Sequence, residues 1–210
     1  MGSMNMNAAA ACTNELMNKI REESAKESIP SVSPSTGRFL EMLASFSRAK
    51  NIIEVGCANG YATCYLINAA VKNGGRVTSF EKDRRRFEMA KANMAAFIEN
   101  GRLNLVGVDA LEATGEISGE VDFLFIDAMK RQYKPILEAF LPLLSKGAIV
   151  FSDDIYFQGV LEPEKTLDRH KSIVRGLREY LDYLKDLEAK GAVENFFYGY
   201  EDGMAVTRKL

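Results

Sequence analysis

A single histidine, His170, stands in a chain of 210 residues, and that scarcity removes two chemistries at once. A zinc site made of several imidazoles is impossible, and a Ser-His-Asp triad is disfavoured. Cysteine is nearly as sparse. Cys12, Cys57 and Cys64 form no C-x-x-C pair, and their odd number reads as reduced thiols in a cytosolic compartment. Long apolar runs are missing too: none approaches the roughly 18 residues of a membrane helix. The apolar stretch over residues 4–12 lacks a basic leader and is too short for a signal peptide. A soluble, cytoplasmic protein with no membrane partner is therefore expected. Positive charge is not in excess either, with 27 Lys and Arg against 29 Asp and Glu. That balance argues against a surface coated for nucleic acid throughout, though not against a local basic patch. No repeat, low-complexity tract or linker divides the chain. Met1, Gly2 and Ser3 read as an expression scar ahead of a native Met4, so one domain is expected over residues 4–210. Within it, 4–50 would be leading helices and 51–210 the core.

What the chain does have is alternation. Strand-like runs at 51–55, 76–81, 103–108, 121–127 and 148–153 are separated by helix-like stretches at 61–72, 84–99 and 132–144. Regular strand–helix alternation predicts parallel strands joined by right-handed crossovers, a doubly wound α/β fold. Ile52 to Val55 and Phe123 to Ile126 are apolar without alternation, as strands covered on both faces should be. Two leading helices are expected at 14–26 and 35–47. A long amphipathic helix is expected at 166–190, buried through Ile173, Val174, Leu177, Tyr180, Leu181, Leu184 and Leu187. Residues 192–198 and 204–208 then read as a terminal hairpin.

Chemistry-bearing residues gather where the strands end. The first strand runs through Glu54-Val55-Gly56-Cys57-Ala58-Asn59-Gly60-Tyr61 into a helix. Glycine there allows a tight turn and close approach of a ligand, at the edge where nucleotide folds bind. The spacing is not that of a dinucleotide loop, and no lysine follows Gly60 to make a phosphate cradle. An acidic Glu54 suits an α-amino group better than a phosphate. Alone, the loop reads equally well as an ordinary strand-to-helix turn. Glu81, ending the second strand, lies where a carboxylate accepts hydrogen bonds from a ribose. Asp109 ends the third.

Asp127 ends the fourth strand, and Asp153 and Asp154 end the fifth. Hard oxygen ligands on adjacent strand tips suit Mg²⁺. Lys130 lies three residues past Asp127 and can face the same pocket, as a general base if its pKa is lowered. The bland alternative is a set of capping carboxylates beside a surface lysine.

These motifs resemble the catechol and caffeoyl-coenzyme A type O-methyltransferases over residues 29–210. The cofactor loop, Phe125-Ile126-Asp127-Ala128-Met129-Lys130-Arg131-Gln132-Tyr133, and Ser152-Asp153-Asp154 with Gly159 all match in order. So do the closing run Asp202-Gly203-Met204-Ala205-Val206-Thr207-Arg208 and the early segment Val32-Ser33 with Gly37-Arg38-Phe39-Leu40. The resemblance implies a Rossmann-like seven-stranded sheet, mostly parallel with an antiparallel last strand, and often a homodimer. It implies S-adenosylmethionine as cofactor, its site covered by the helices of 4–50. Val32, Ser33, Glu54, Gly56, Gly60 and Tyr61 would hold the methionine end and Glu81 the ribose. Asp109 and Ala110 would sit at the adenine, and Asp127 would border the cofactor. Asp127, Asp153 and Asp154 would ligate a divalent metal, Mg²⁺ or otherwise Ca²⁺ or Mn²⁺. Lys130 would deprotonate the acceptor and Tyr133 border its pocket. Two departures stand out: Asp154 replaces the family's usual Asn, and Tyr180-Leu181 replaces a common Phe-Asn.

Chelation by two neighbouring oxygens selects a catechol-like small molecule as acceptor. A second acceptor with the same pair is 5-hydroxyuridine in tRNA, for which Lys82, Arg84, Arg85, Arg86, Lys130, Arg131 and Lys134 could supply phosphate contacts. The bland reading of Arg84 to Arg86 is a solvated helix start. A third reading is a binding protein that keeps the cofactor fold without catalysis. An intact Lys130 and the three aspartates speak against it.

Overall fold

A computed structural model describes residues 11–157 and 167–210. Expectations for residues 1–10, Gly159 and Thr166 lie outside that range. The strands are β1 Asn51–Val55, β2 Arg76–Phe80, β3 Leu103–Val106, β4 Val121–Ile126, β5 Leu144–Ser152, β6 Val193–Tyr198 and β7 Met204–Lys209. They form one sheet in the order β3-β2-β1-β4-β5-β7-β6. Strands β1 to β5 pair in parallel, and β7 runs antiparallel to both β5 and β6. The expected seven-stranded sheet with its antiparallel last strand is therefore present. Chain order reverses direction between β1 and β4, which opens a crevice at their carboxyl ends.

The helices are α1 Asn14–Lys26, α2 Pro34–Phe46, α3 Tyr61–Asn73, α4 Arg84–Asn93, α5 Ala95–Glu99, α6 Tyr133–Phe140 and α7 Lys171–Ala189. They cover both faces, which is why β4 is apolar at every position but Asp122 and β1 carries adjacent Ile52 and Ile53. One core layer packs Ile20, Leu40, Leu66, Phe125 and Phe151 on the side of α1, α2 and α3. The other packs Ile126, Tyr133, Phe140, Leu177 and Tyr180 under α6 and α7. Helix α3 is buried from Tyr61 to Ala70 because it lies between the sheet and the two leading helices. Among the described residues, no helix is long and apolar enough to cross a membrane.

Several boundaries differ from expectation. The stretch 84–99 is two helices, broken at Met94 (φ −102°, ψ 10°), whose buried side chain packs toward Gly60. The apolar period runs on through the break, so the pattern shows one helix where the backbone makes two. The region 132–144 contains only α6, flanked by 3₁₀ turns at Lys130–Gln132 and Leu141–Leu143. Pro142 sits in the second turn and cannot donate to a continuing helix. Strand β5 begins earlier than expected, at Leu144, with an irregular pairing to β4 between Val121 and Phe123. Helix α7 starts at Lys171, after a 3₁₀ turn at Asp168–His170. Its buried face is the expected one, except that Ile173 is only partly covered.

Helix α2 reaches α3 through Gly37, where an added Cβ would stand 2.3 Å from the Tyr65 ring. Tyr65 is itself buried and its hydroxyl lies 3.0 Å from that of Tyr61. Gly37→Ala should therefore overpack this contact and lower stability by about 1–3 kcal/mol, read from urea unfolding. A loss below about 0.5 kcal/mol, the usual range of an exposed substitution, would mean that α2 is free to slide over α3.

Candidate active site at the carboxyl edge of the sheet

The loop after β1 is built against its neighbours. Gly56 and Cys57 donate their N–H groups to the Phe80 carbonyl at 2.9 and 3.2 Å. Gly56 has φ 94°, and a Cβ there would meet the Asp127 carbonyl at 2.1 Å. Glycine is required at this point by β4 as much as by any ligand. Ala58 takes a left-handed φ of 50°, and its N–H donates to Glu81 at 2.9 Å. Gly60, at φ 97°, starts α3.

Glu54 is fully buried. Thr63 donates to its Oε2 at 2.7 Å and Ser79 donates to the same oxygen, while Oε1 has no partner. Burial pushes the carboxyl up to about 7; the two hydroxyls pull it down, and the charges of Asp127 and Glu81 add to the rise. An orphaned, buried carboxylate oxygen beside a glycine loop fits a cationic ligand group such as an α-amino group. Glu81 is also buried, with one oxygen taken by the Ala58 N–H and the other by the Asp83 N–H at 2.9 Å. Each oxygen keeps a second lone pair for a hydroxyl.

Asp109 stands further along the edge. It accepts from Lys82 at 2.9 Å, from Gln132 at 3.3 Å and from the Leu111 N–H at 3.1 Å. Burial opposes its charge, but these donors outweigh burial and hold the carboxyl below its ordinary range. Ala110 and Val32 are buried, and Tyr61 is buried against Tyr65. Ser33 caps α2 by accepting from the Thr36 N–H at 3.1 Å.

The second cluster centres on Lys130. Its Nζ lies 3.3 Å from Asp127, 3.0 Å from Asp154 and 2.7 Å from the Tyr133 hydroxyl, with the side chain only 13% exposed. Burial favours a neutral amine, yet Tyr133 and the two carboxylates prevail and keep it an ammonium. Asp153 is buried, and burial followed by the charges of Asp127 and Asp154 pushes it up to about 7. Burial raises Asp127 as well. Asp154 has φ 52°, a left-handed conformation that Asn and Asp tolerate best, which accounts for either residue at this position. Among the described residues, no group of three or more His, Cys, Asp or Glu side chains is already gathered around a metal-sized gap. An ammonium joins two of the aspartates instead.

A sequence profile described as O-methyltransferase matches residues 6–210. The chain belongs to this O-methyltransferase family. It is 30% identical over 156 residues to a catechol O-methyltransferase of Niastella koreensis, covering 71% of this chain and 68% of that protein. It is 28% identical over 207 residues to a caffeoyl-CoA O-methyltransferase of Populus kitakamiensis, covering 94% and 87%. Its fold superposes on a Bacillus cereus O-methyltransferase solved in complex with SAH, with TM-score 0.82, 23% identity and coverage of 98% and 95%.

In this O-methyltransferase the structure brings Glu54, Glu81 and Asp109 to one edge, with Lys130 among the aspartates as expected. Tyr133 is wholly buried, donates to the Asp153 carbonyl at 2.9 Å, and accepts from Lys130. Sequence reasoning also missed Ser79 and Thr63. The parallel register sets Ser79 directly beside Glu54, and a polar residue at the buried end of each strand was the available signal. Asn59 was missed as well. Its buried amide donates to the Ile20 carbonyl at 3.1 Å and to Glu23 at 3.0 Å, and accepts from Ser24 at 3.0 Å, tying the loop to α1.

The raised Glu54 pKa has a definite sign. Its folded value, about 7, exceeds the ordinary 4.5, so the ionised form destabilises the fold. That penalty is absent below the unfolded value, grows between the two, and is complete above the folded one. Glu54→Gln should therefore stabilise the ligand-free protein at pH 8 by on the order of 2–3 kcal/mol, with the gain vanishing near pH 4.5. Thermal melts across pH test this; equal gains at both extremes would mean that Glu54 ionises as readily in the fold as in the unfolded chain.

Proposed function

We propose that this enzyme transfers a methyl group from S-adenosylmethionine to a hydroxyl of a small, catechol-like acceptor with two neighbouring oxygens, aided by a divalent metal. The observation that carries the reading is the buried Lys130 amine between Asp127 and Asp154, next to a loop whose Glu54 keeps an unpartnered oxygen. Glu54 would receive the cofactor's α-amino group, Glu81 its ribose and Asp109 its adenine end. The cofactor supplies a sulfonium methyl that is already electrophilic, so the protein has to align and deprotonate the acceptor.

Asp127, Asp153 and Asp154 would hold the metal, Mg²⁺ by preference, since carboxylate oxygens are its natural donors. The fit rests on charge: one ammonium against three aspartates leaves the cluster short of positive charge, and burial and mutual repulsion already raise Asp153. Such an ion would lower the pKa of the acceptor hydroxyl and fix its direction. Lys130 would take the hydroxyl proton at Nζ once it has given up its own, since Tyr133, Asp127 and Asp154 hold it as an ammonium in the ligand-free protein.

A small acceptor is favoured over tRNA because much of the basic mouth is already paired. Lys82 bonds Asp109, Arg85 bonds Glu27 and Lys134 lies 3.8 Å from Glu138. Methyl transfer from labelled cofactor to a catechol panel and to unmodified and 5-hydroxyuridine-containing tRNA, with and without Mg²⁺, tests the assignment. Mg²⁺-dependent labelling of a catechol is expected; labelling of tRNA alone would overturn the small-molecule reading. Lys130→Ala should cut turnover about 10²–10⁴-fold with cofactor affinity nearly intact. Turnover within about twofold of the parent would remove Lys130 from the chemistry. Independently of activity, Asp154→Asn should weaken Mg²⁺ binding in calorimetry, because it removes one negative charge from the cluster. Unchanged affinity would place Asp154 outside the metal's ligands.

A further inference from the structure

The position of Lys130 is set from behind. Its 3₁₀ turn, Lys130–Gln132, rests directly on α7 at Gly176. A Cβ on Gly176 would stand 2.6 Å from the Arg131 Cα, 3.1 Å from its Cβ and 3.3 Å from its N. Two of those atoms are backbone, which cannot rotate away, so a single methyl would force the turn and the helix apart. Gly176 lies in mid-helix, where glycine costs about 1 kcal/mol relative to alanine. Close approach to the Lys130 turn is what it gains there.

A second tie joins the same turn to the metal-side strand. The single hydroxyl hydrogen of Tyr133 is donated to the Asp153 carbonyl at 2.9 Å, which leaves the phenolic oxygen free to accept from Lys130 at 2.7 Å. The direction of the chain is thus fixed as amine to phenol to carbonyl. Behind it, the Tyr133 ring meets the Tyr180 ring of α7 edge to face, with centroids 5.5 Å apart. Tyr180 lies one turn after Gly176, on the same face of α7. Its hydroxyl is 2.6 Å from Ser152, the residue before Asp153.

We propose that Gly176 and Tyr133 are positioning residues for the Lys130 amine: Gly176 sets the height of the turn on α7, and Tyr133 fixes the amine against the end of β5. The inference deepens the proposed function and rests on Lys130 acting on the acceptor. Neither residue touches the reacting atoms; both act through Nζ.

The test uses Gly176→Ala, Tyr133→Phe and the double variant, with Lys130→Ala alongside. The first readout needs no acceptor: lysines of the intact protein are acylated with acetic anhydride and quantified by mass spectrometry. Lys130 in the parent should react more slowly than the exposed Lys91, and each single variant should narrow that gap. In the catechol assay each single variant should lower kcat about tenfold to a hundredfold, the cost of a misplaced group, with SAH affinity within about twofold. Because both act through one amine, the double variant should lose little more than the worse single, whereas unrelated structural defects would multiply. Should Gly176→Ala fail to fold, Tyr133→Phe carries the comparison, since it removes only a hydroxyl. Parental labelling of Lys130 in the folded single variants would overturn the positioning role. So would multiplicative losses in kcat. A Lys130→Ala enzyme with parental turnover would instead overturn the catalytic reading on which the inference rests, even with the labelling changed.

Discussion

The closest constraint in the molecule is the approach of the β1 loop to the end of β4. Gly56 passes so near the Asp127 carbonyl that no side chain fits between them. Strand pairing continues into this contact, since the Asp127 N–H donates to the Val55 carbonyl at 3.0 Å. The Glu54 side and the Lys130 side of the site therefore share one seam of backbone. Glu54 lies just before the seam on β1 and Asp127 at its far side on β4. Their charges are close enough that each carboxylate makes the other harder to ionise.

That electrostatic crowding is the cost of the arrangement. Glu54, Glu81 and Asp153 are buried and Asp127 partly so, and the Lys130 amine answers only part of the charge. A fold selected for stability alone would place apolar residues there. Positions that oppose folding yet converge on one crevice are expected where ligands complete the balance.

Much of this was readable in the sequence because its signals are local. Carboxylates at the ends of apolar runs give their own location, and Asp127 with Lys130 needs only the spacing of one turn. The Met94 break was hidden, since the apolar period passes through it undisturbed. The depth of Tyr133 was hidden because a motif tyrosine near a lysine looks the same in sequence whether it faces the crevice or the core. Its burial depends on α7, about 40 residues downstream, whose Tyr180 ring packs edge to face against it. The tie from Asn59 to α1 was equally silent. It depends on which polar atoms face each other across 35 or more residues.

One further long-range contact bears on how the chain matures. The turn between β6 and β7 places Glu201 at the start of α2, where Thr36 donates to it at 2.9 Å and Ser35 at 3.4 Å, while Tyr200 lies 3.2 Å from Ser35. These partners are separated by 165 or 166 positions. Strand β7 itself inserts between β5 and β6, so the sheet is incomplete until β7 arrives. During synthesis, the segment around Val32 and Ser33 emerges well before the turn 165 positions later that fastens it. Closing so long a loop is slow compared with forming local helices. A nascent chain can assemble β1 through β4 and still lack a finished cofactor pocket, which makes completion of the pocket a late event in folding.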